Sequence, residues 1–401
     1  MGEQTNERTN GRTDARIRII ALAKDWADVP TCITHAMRVM GERFPVLWCD
    51  SIGTRKPSLA RDRGRLWLRL RGGGRAVHRE NRLSSLAPLL LPLPRARLAR
   101  ALNRALFAAQ TASWRRRHPA MRTEYWCAAP TAAHLLPRRG VRVFYYCVDD
   151  WSRFAHLDGA RLDAEERQLL ARADAAFTPA RFLADKLARA AAEIGRPGLP
   201  IRTIAHGVNW RQFHAALEPD LPLPAELAAR PSPRIGFYGN LDVWIDYDRV
   251  AELARQRPSW TFVLVGPVRA DLAPLRGLAN ILIPGRREHA ELPAWCKGFD
   301  AAMIPYDRND PRMTSVNPVK LKELLAAGVP VVAADIPELH GYGDAVRLCA
   351  TSDEWLAALE IQIARRDRAA ISAAMRAEDW SAKVDEMREF VEERGEERDE
   401  G

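Results

Sequence analysis

The sequence predicts an α/β protein with two parallel-sheet halves. Two series of short apolar strands alternate with helical patterns, and this alternation is typical of parallel sheets covered by helices. A proline-rich stretch without strand pattern, residues 213–233, separates the two series and is interpreted as a linker. The length of 401 residues agrees with two domains.

The first half is predicted from short runs of β-branched and aromatic residues that lie between turn-forming residues. Residues 16–212 should form a Rossmann-like domain, preceded by a disordered tail over residues 1–15. The predicted strands are Ile17–Leu22, Pro45–Cys49, Glu124–Ala128, Val141–Val148, Ala175–Thr178 and Ile201–Ile204.

Residues 51–120 interrupt this pattern with an excess of basic residues. The region has 17 lysine and arginine residues against two acidic ones, whereas the whole chain has a net charge of +10. Within it, Leu86–Ala109 passes from a proline-broken apolar run into a basic amphipathic helix. The leucine face suits either a membrane surface or the protein core. We expect residues 59–109 to attach to anionic membranes; the alternatives are an ordinary core-facing helix and a charge excess that only reflects an arginine-rich genome.

The second half repeats the alternation of strands and helices. Residues 234–365 should form a second Rossmann-like domain, and residues 366–401 a C-terminal helix with an acidic tail. The predicted strands are Arg234–Tyr238, Thr261–Val265, Asn280–Ile283, Asp300–Ile304, Val329–Ala333 and Ala345–Leu348.

Composition narrows the class of protein. Hydrophobic residues make up 47% of the chain and charged residues 28%, as in a globular protein with a large core. No apolar run approaches the ~20 residues of a membrane-spanning helix, and residues 1–15 lack an apolar secretion signal. The six cysteines are scattered singly, without the spacing of a zinc site or a disulfide framework. We therefore expect a cytoplasmic protein with reduced cysteines.

Acidic residues follow two predicted strands of the first half. Asp25 comes after the first strand, and Asp149 and Asp150 come after the fourth. Ligands of open α/β sheets bind outside the carboxyl ends of the strands, so these positions are candidates for catalysis. Adjacent carboxylates repel each other and can raise one pKa, which makes the pair Asp149 and Asp150 the best candidate for a general base. The alternative is that the pair only caps the segment that follows.

The segment Asn317–Asp335 says most about function. Its leucines predict a helix with one buried face, Gly328 ends that helix, and a valine-rich strand follows. Lys320 and Glu323 lie off the leucine face, and Lys320 is in the first helical turn, where backbone N–H groups already favour an anion. A lysine there suits a diphosphate, and a glutamate one turn later suits the hydroxyls of a ribose. The alternative is a solvated Lys–Glu pair on an amphipathic helix.

Together with HGVNWRQF (His206–Phe213) and RIGFYGN (Arg234–Asn240), this segment resembles the group 1, exopolysaccharide-type bacterial glycosyltransferases. The resemblance implies a GT-B fold, in which two Rossmann-like domains face a cleft and a C-terminal helix crosses back to the first domain. It further implies a metal-independent, hexosyltransferase-type enzyme without a cofactor, in which the first domain binds the acceptor and the second binds a nucleotide sugar.

Site residues follow from the same resemblance. Glu323 would hold the donor ribose, Lys320 the diphosphate, and Gly239 would let the backbone approach it. The rest of the donor site is assigned to Asn240, Tyr306 and Asn317. Many retaining members carry a glutamate eight positions before the second one, where this chain has Ser315. Since related exopolysaccharide enzymes invert with an aspartate base, the resemblance then favours inversion with Asp150 as the base.

The sequence thus predicts transfer of a sugar from an NDP-sugar, with UDP favoured, to a glycan or lipid-linked acceptor in polysaccharide or glycoconjugate biosynthesis. The expected location is the cytoplasm, with a peripheral site on the inner face of the plasma membrane. Two other interpretations remain: a nucleotide-sugar epimerase of the same fold, and a non-enzymatic, basic nucleic-acid-binding protein. Since no nucleic-acid-binding module is recognised, no nucleic-acid partner is expected.

Overall fold

The computed structural model describes residues 17–26, 31–50, 76–91, 96–153, 157–314 and 316–399. The expected tail over residues 1–15, Ser315 and much of the basic region, including residues 59–75, lie outside the described residues. The chain divides into two compact units, the first formed by residues 1–204 and 384–401 and the second by residues 205–383.

The first unit is built on an eight-stranded sheet in the order β3-β4-β2-β1-β5-β6-β7-β8. All neighbouring strands run parallel except β3 and β4. All six predicted strands are present, with ends that shift by at most two residues. The strands are β1 Ile17–Leu22, β2 Val46–Cys49, β3 Ala76–Glu80, β4 Leu83–Leu86, β5 Arg122–Cys127, β6 Arg142–Tyr146, β7 Ala175–Thr178 and β8 Ile201–Thr203.

The antiparallel pair β3–β4 was not predicted from the sequence. A turn at Asn81, which has a φ of 50°, joins the two strands. Asn is one of the few residues other than glycine that adopts this conformation readily. The strand β4 reads LSSL and is too short and polar to give a strand pattern on its own. Its pairing with the buried strand β2 is what makes it part of the sheet.

In the described ranges of the first unit, the helices before the domain boundary are α1 Cys32–Arg43, α2 Arg97–Arg116, α3 Gly159–Leu170 and α4 Arg181–Glu193. Helix α2 packs against the core, as the core-facing alternative expects, but it does so through residues other than its leucines. Leu98, Leu102 and Leu106 are 83%, 47% and 36% exposed, whereas Phe107 and Trp114 are buried. The apolar stripe predicted from the sequence is therefore real, but it faces solvent.

The second unit has a six-stranded sheet in the order β11-β10-β9-β12-β13-β14, with all strands parallel. This order is that of a doubly wound Rossmann sheet, as the sequence predicted. The strands are β9 Arg234–Tyr238, β10 Thr261–Val265, β11 Ile281–Gly285, β12 Ala301–Ile304, β13 Val331–Ala334 and β14 Val346–Cys349. The helices are α5 Trp210–His214, α6 Ala225–Ala228, α7 Tyr247–Gln256, α8 Leu292–Lys297, α9 Val319–Ala326, α10 Ser352–Ile363 and α11 Arg368–Ala374.

The boundaries of the units differ from the expected ones. Residues 205–233, which include the proline-rich stretch, group with the second unit. Helix α6 lies within that stretch and buries Leu227 completely in the second core. The proline content predicted a linker. Composition alone cannot show that Leu227 packs into the core of the second unit.

The last helix, α12 Trp380–Asp399, begins in the second unit, and its residues from Val384 onward group with the first. Val384, Met387 and Val391 are fully buried. The buried Arg388 donates a hydrogen bond from Nη1 to Glu124 Oε2 at 2.7 Å, which ties the helix to strand β5.

Candidate functional site

Lys320 lies in the first turn of helix α9, as the sequence indicated. The leucines Leu321, Leu324 and Leu325 are buried, and they fix the helix against the sheet. The ammonium nitrogen of Lys320 lies 4.4 Å from the centre of the Phe237 ring. Among the residues that the structure describes, this ammonium makes neither a hydrogen bond nor an ion pair. A half-buried cation over an aromatic ring, at a helix N-terminus, is suited to bind an anion.

Two glycines follow the strands β9 and β10, and the first of them faces Lys320. Gly239 directly follows strand β9 and has a φ of 139°; Gly266 follows strand β10 and has a φ of 151°. A methyl group on Gly239 would collide with the Lys320 ammonium, and one on Gly266 would collide with the carbonyl oxygen of Gly239. Both positions therefore require glycine, and bare backbone faces the lysine.

Glu323 is held by two hydrogen-bond donors. The Tyr238 hydroxyl donates to Oε2 at 2.8 Å, and His289 Nε2 lies 2.8 Å from Oε1. Burial and the charge of Glu323 raise the pKa of Tyr238 well above its usual value, so this hydroxyl remains a donor. The Glu323 side chain is only 9% exposed. Since each carboxylate oxygen has two lone pairs, Glu323 can still accept hydrogen bonds from a diol.

Lys322, on the same helix, has a purely structural environment. It is 1% exposed, and its ammonium lies 2.5 Å from both the carbonyl oxygen of His206 and the Glu378 carboxylate. Burial and the nearby Lys322 charge lower the pKa of His206 to about 3, so His206 is neutral. The contact ties the HGVN segment to the start of the last helix, where the Trp380 N–H donates to the Val208 carbonyl.

The other expected donor-site residues lie at the carboxyl ends of β9 and β12 and before α9. Tyr306 is buried, and the centre of its ring lies 5.2 Å from the Lys320 ammonium. Asn240 is exposed beside Gly239. Asn317 donates to the Glu338 carboxylate at 3.2 Å. Tyr306 also lines a cavity of about 430 Å³ that is bounded by Pro305 and by residues that follow strands β13 and β14.

Asp149 and Asp150 follow strand β6 in the first unit and have opposite environments. Asp150 is buried and paired with Lys186 at 2.8 Å and Arg153 at 3.0 Å, and it accepts a hydrogen bond from Ser152 at 2.7 Å. Burial acts to raise the pKa of Asp150, but the hydrogen bonds and positive charges outweigh it, so the pKa is lowered. A carboxylate with these partners is a poor base, contrary to the preference drawn from the sequence.

Asp149 is the better base of the pair. Its carboxylate accepts no hydrogen bond from the part of the chain that the structure describes. Loss of solvation and the like charge of Asp150 raise the pKa of Asp149 to about 7. The residue is exposed, so water screens part of this effect. A carboxylate with a raised pKa fits the proton transfer expected of this pair.

Asp25 lies at the carboxyl end of β1, which is separated from β6 only by β5. It is half-buried and forms interactions of its own, so the geometry does not single it out.

Four residues that contact Glu323, Asp150 or His289 were not predicted from the sequence: Gln212, His289, Lys186 and Arg153. The motif HGVNWRQF contains Gln212, but the sequence gave that residue no role.

The fold, with two sheets of mainly parallel strands, is the GT-B fold seen in glycosyltransferase structures. Residues 232–365 match the model of the family described as "Glycosyl transferases group 1", which covers most of the second unit. The resemblance drawn from the sequence is thereby confirmed.

Among individual relatives, TuaH of Bacillus subtilis (strain 168), a candidate teichuronic acid biosynthesis glycosyltransferase, is 29% identical over 214 residues. The match covers 49% of this chain and 51% of TuaH, so the chain spans about half the length of this relative. Two solved structures share the fold. HepE of Anabaena, in complex with UDP-glucose, has a TM-score of 0.61 and 14% identity over 94% of this chain and 99% of its own. A UDP-forming trehalose-phosphate synthase of Burkholderia xenovorans has a TM-score of 0.60 and 13% identity over 93% and 97%.

Proposed function

We propose that this protein is a glycosyltransferase that moves a sugar from a nucleoside diphosphate sugar to an acceptor hydroxyl. One observation carries the proposal: helix α9 presents a lysine without a partner among the described residues next to a glutamate whose carboxylate is held in place. The spacing of one helical turn matches a diphosphate and the ribose attached to it. The family match over residues 232–365 supports the same chemistry.

The donor half of the reaction depends on the second unit. Lys320 would bind the diphosphate and stabilise the negative charge that develops when the bond from the anomeric carbon to the phosphate oxygen breaks. Glu323 would accept hydrogen bonds from the ribose hydroxyls, while Gly239 and Gly266 leave room for the phosphates. Because Lys320 would supply the positive charge, the proposed reaction is independent of a metal ion and needs no cofactor.

The acceptor half depends on a base in the first unit. Asp149 would take the proton of the acceptor hydroxyl as its oxygen attacks the anomeric carbon. Direct displacement inverts the anomeric centre, so an α-linked donor would give a β-linked product. NMR of the product tests this step, and an α linkage would contradict it.

UDP is the proposed nucleotide, because HepE and the trehalose-phosphate synthase are described with UDP. The test is a panel of UDP-, GDP- and ADP-sugars, with thermal shift for binding and nucleotide release for turnover. We expect a shift with UDP-sugars and release of UDP once an acceptor is present. Stabilisation by none of the nucleotides would refute the donor site. Interconversion of the sugar without an acceptor would favour the epimerase alternative.

The proposed acceptor is a glycan or lipid-linked glycan in polysaccharide biosynthesis, since TuaH is named for teichuronic acid biosynthesis. We place the reaction at the cytoplasmic face of the membrane. None of the helices in the described ranges is long and apolar enough to cross a bilayer. The proposed attachment is instead peripheral and involves the exposed stripe Leu98, Leu102 and Leu106 of helix α2.

The positive charge of the sequence around the stripe favours an anionic lipid as the proposed partner. From Asn81 to Thr123 the sequence has nine arginines and no acidic residue. An apolar stripe on a basic helix suits the interface of an anionic bilayer.

Vesicle co-sedimentation tests the attachment. We expect binding to vesicles that contain phosphatidylglycerol, weakened as salt reduces the Debye length from ~10 Å at 0.1 M to ~3 Å at 1 M. The double variant Leu98→Ser, Leu102→Ser should bind roughly tenfold or more weakly. The matched control is Ile361→Ser, since Ile361 is 46% exposed on helix α10. Equal binding by both variants, or binding that ignores anionic lipid, would refute the attachment surface.

A further inference from the structure

The motif HGVNWRQF is connected to Glu323 by a series of hydrogen bonds. Asn209 Nδ2 donates to Gln212 Oε1 at 3.1 Å. Gln212 Nε2 lies 3.1 Å from His289 Nδ1 and 2.9 Å from the carbonyl oxygen of the same residue. His289 Nε2 lies 2.8 Å from Glu323 Oε1, and Glu323 Oε2 accepts from Tyr238. Five residues from four parts of the second unit thus form one chain of contacts.

The contact between Asn209 and Gln212, at the start of this series, fixes the direction of the other hydrogen bonds. Since Gln212 Oε1 accepts from Asn209, its amide nitrogen faces His289 and donates one hydrogen to the carbonyl and one to Nδ1. His289 Nδ1 is therefore an acceptor, and the ring proton resides on Nε2, from which it is donated to Glu323. Gln212 thereby determines which ring nitrogen of His289 carries the proton.

Packing holds the same groups in place. The Phe213 ring meets the His289 ring edge-on at 5.3 Å and lies nearly parallel to the Tyr238 ring at 6.4 Å. Phe213 is fully buried. One segment of five residues, Asn209–Phe213, therefore limits the rotation of both groups that donate to Glu323.

We propose that His289 is a positioning residue that holds Glu323 for the donor ribose, and that the segment Asn209–Phe213 sets its tautomer and orientation. This inference rests on the proposed donor site. The motif HGVNWRQF, to which the resemblance assigned no role, would thereby determine the orientation of Glu323. A carboxylate fixed on both oxygens keeps its remaining lone pairs in one arrangement, which lowers the cost of ordering it when a diol binds.

Binding of UDP and of pyrophosphate separates positioning from general damage. His289→Ala should weaken UDP binding by roughly tenfold, because Glu323 loses a donor and its fixed orientation. Pyrophosphate binding should stay unchanged, since it does not use Glu323. His289→Gln should restore UDP binding, because a glutamine amide N–H reaches the place of Nε2. Gln212→Ala should weaken UDP binding to a smaller extent, and Gln256→Ala, which removes an exposed glutamine of helix α7, is the matched control.

A spectroscopic measurement tests the inference without any nucleotide. In the ¹⁵N-histidine NMR spectrum of the full chain, the His289 signals, assigned with His289→Gln, should show the neutral tautomer protonated at Nε2. Gln212→Ala should reduce the preference for that tautomer. A His289 protonated at Nδ1 would overturn the inference, as would unchanged UDP affinity in His289→Ala. If the wild-type protein bound no UDP, the donor site would fail, while the tautomer measurement would still decide the role of Gln212.

Discussion

The segment after strand β6 in the first unit and helix α9 in the second show the same division of charged residues. Asp150 and Lys322 are buried and paired with groups of opposite charge. Asp149 and Lys320, one and two residues away, have no such partner in the described part of the chain. Neighbours in sequence thus have opposite roles, because the environment of each side chain, and not its residue type, decides whether it stabilises the fold or is open to a ligand.

Removal of the open carboxylate should have the largest effect. Asp149→Asn should lower turnover by ~10²–10⁴-fold, the usual contribution of a general base, while UDP binding stays intact. Initial rates of UDP release with saturating donor measure this effect. The control is Asp185→Asn, which changes an exposed aspartate on helix α4. Full activity of Asp149→Asn would end the proposed role and direct the search to Asp25.

The buried lysine of helix α9 should matter for stability. Lys322→Ala leaves the Glu378 carboxylate with Lys383 alone, at 3.0 Å, and removes the donor to the His206 carbonyl. Breaking a buried pair typically costs about 3–5 kcal/mol, and Glu378 is partly exposed, so we expect the lower end of this range. Urea denaturation measures the free energy of unfolding. A loss below about 1 kcal/mol would contradict the structural role.

The open lysine of the same helix should matter for binding. Lys320→Ala removes a charge-assisted contact to phosphate worth ~2–3 kcal/mol, so UDP and pyrophosphate should both bind roughly 30- to 150-fold more weakly. Glu323→Ala, by contrast, should weaken UDP binding only. Calorimetric titration with both ligands measures the difference. If Lys320→Ala bound both ligands normally, or Glu323→Ala lost both equally, the donor-site assignment would be wrong.

The smallest effect is a shift in pH dependence. A base must be deprotonated to act, and the pKa of Asp149 is raised above its ordinary value, so turnover should rise as the pH increases through that raised pKa. Asp150→Asn removes the like charge that contributes to this raised pKa and leaves Lys186 less neutralised. Both changes lower the pKa of Asp149, so the acidic limb of the pH–rate profile should move to lower pH. An unchanged limb would show that Asp150 does not act on the base.

The sequence by itself determined much of the fold and part of the site. Periodic apolar residues predicted twelve strands correctly, because a strand or a helix is encoded by neighbours a few residues apart. The same locality placed Lys320, Glu323 and Asp149 after strands or in a first helical turn. The strands β3 and β4 escaped prediction because their stability comes from pairing with β2 and not from their own residues.

The partners of each charge were decided only by the tertiary structure. Lys186 is 36 residues from Asp150, Gln212 is 77 from His289, and His289 is 34 from Glu323. No local pattern encodes such distances, because they depend on how strands and helices pack. The sequence therefore pointed to the pair Asp149 and Asp150 and preferred Asp150, and only the folded chain shows that Asp150 is already paired with Lys186 and Arg153.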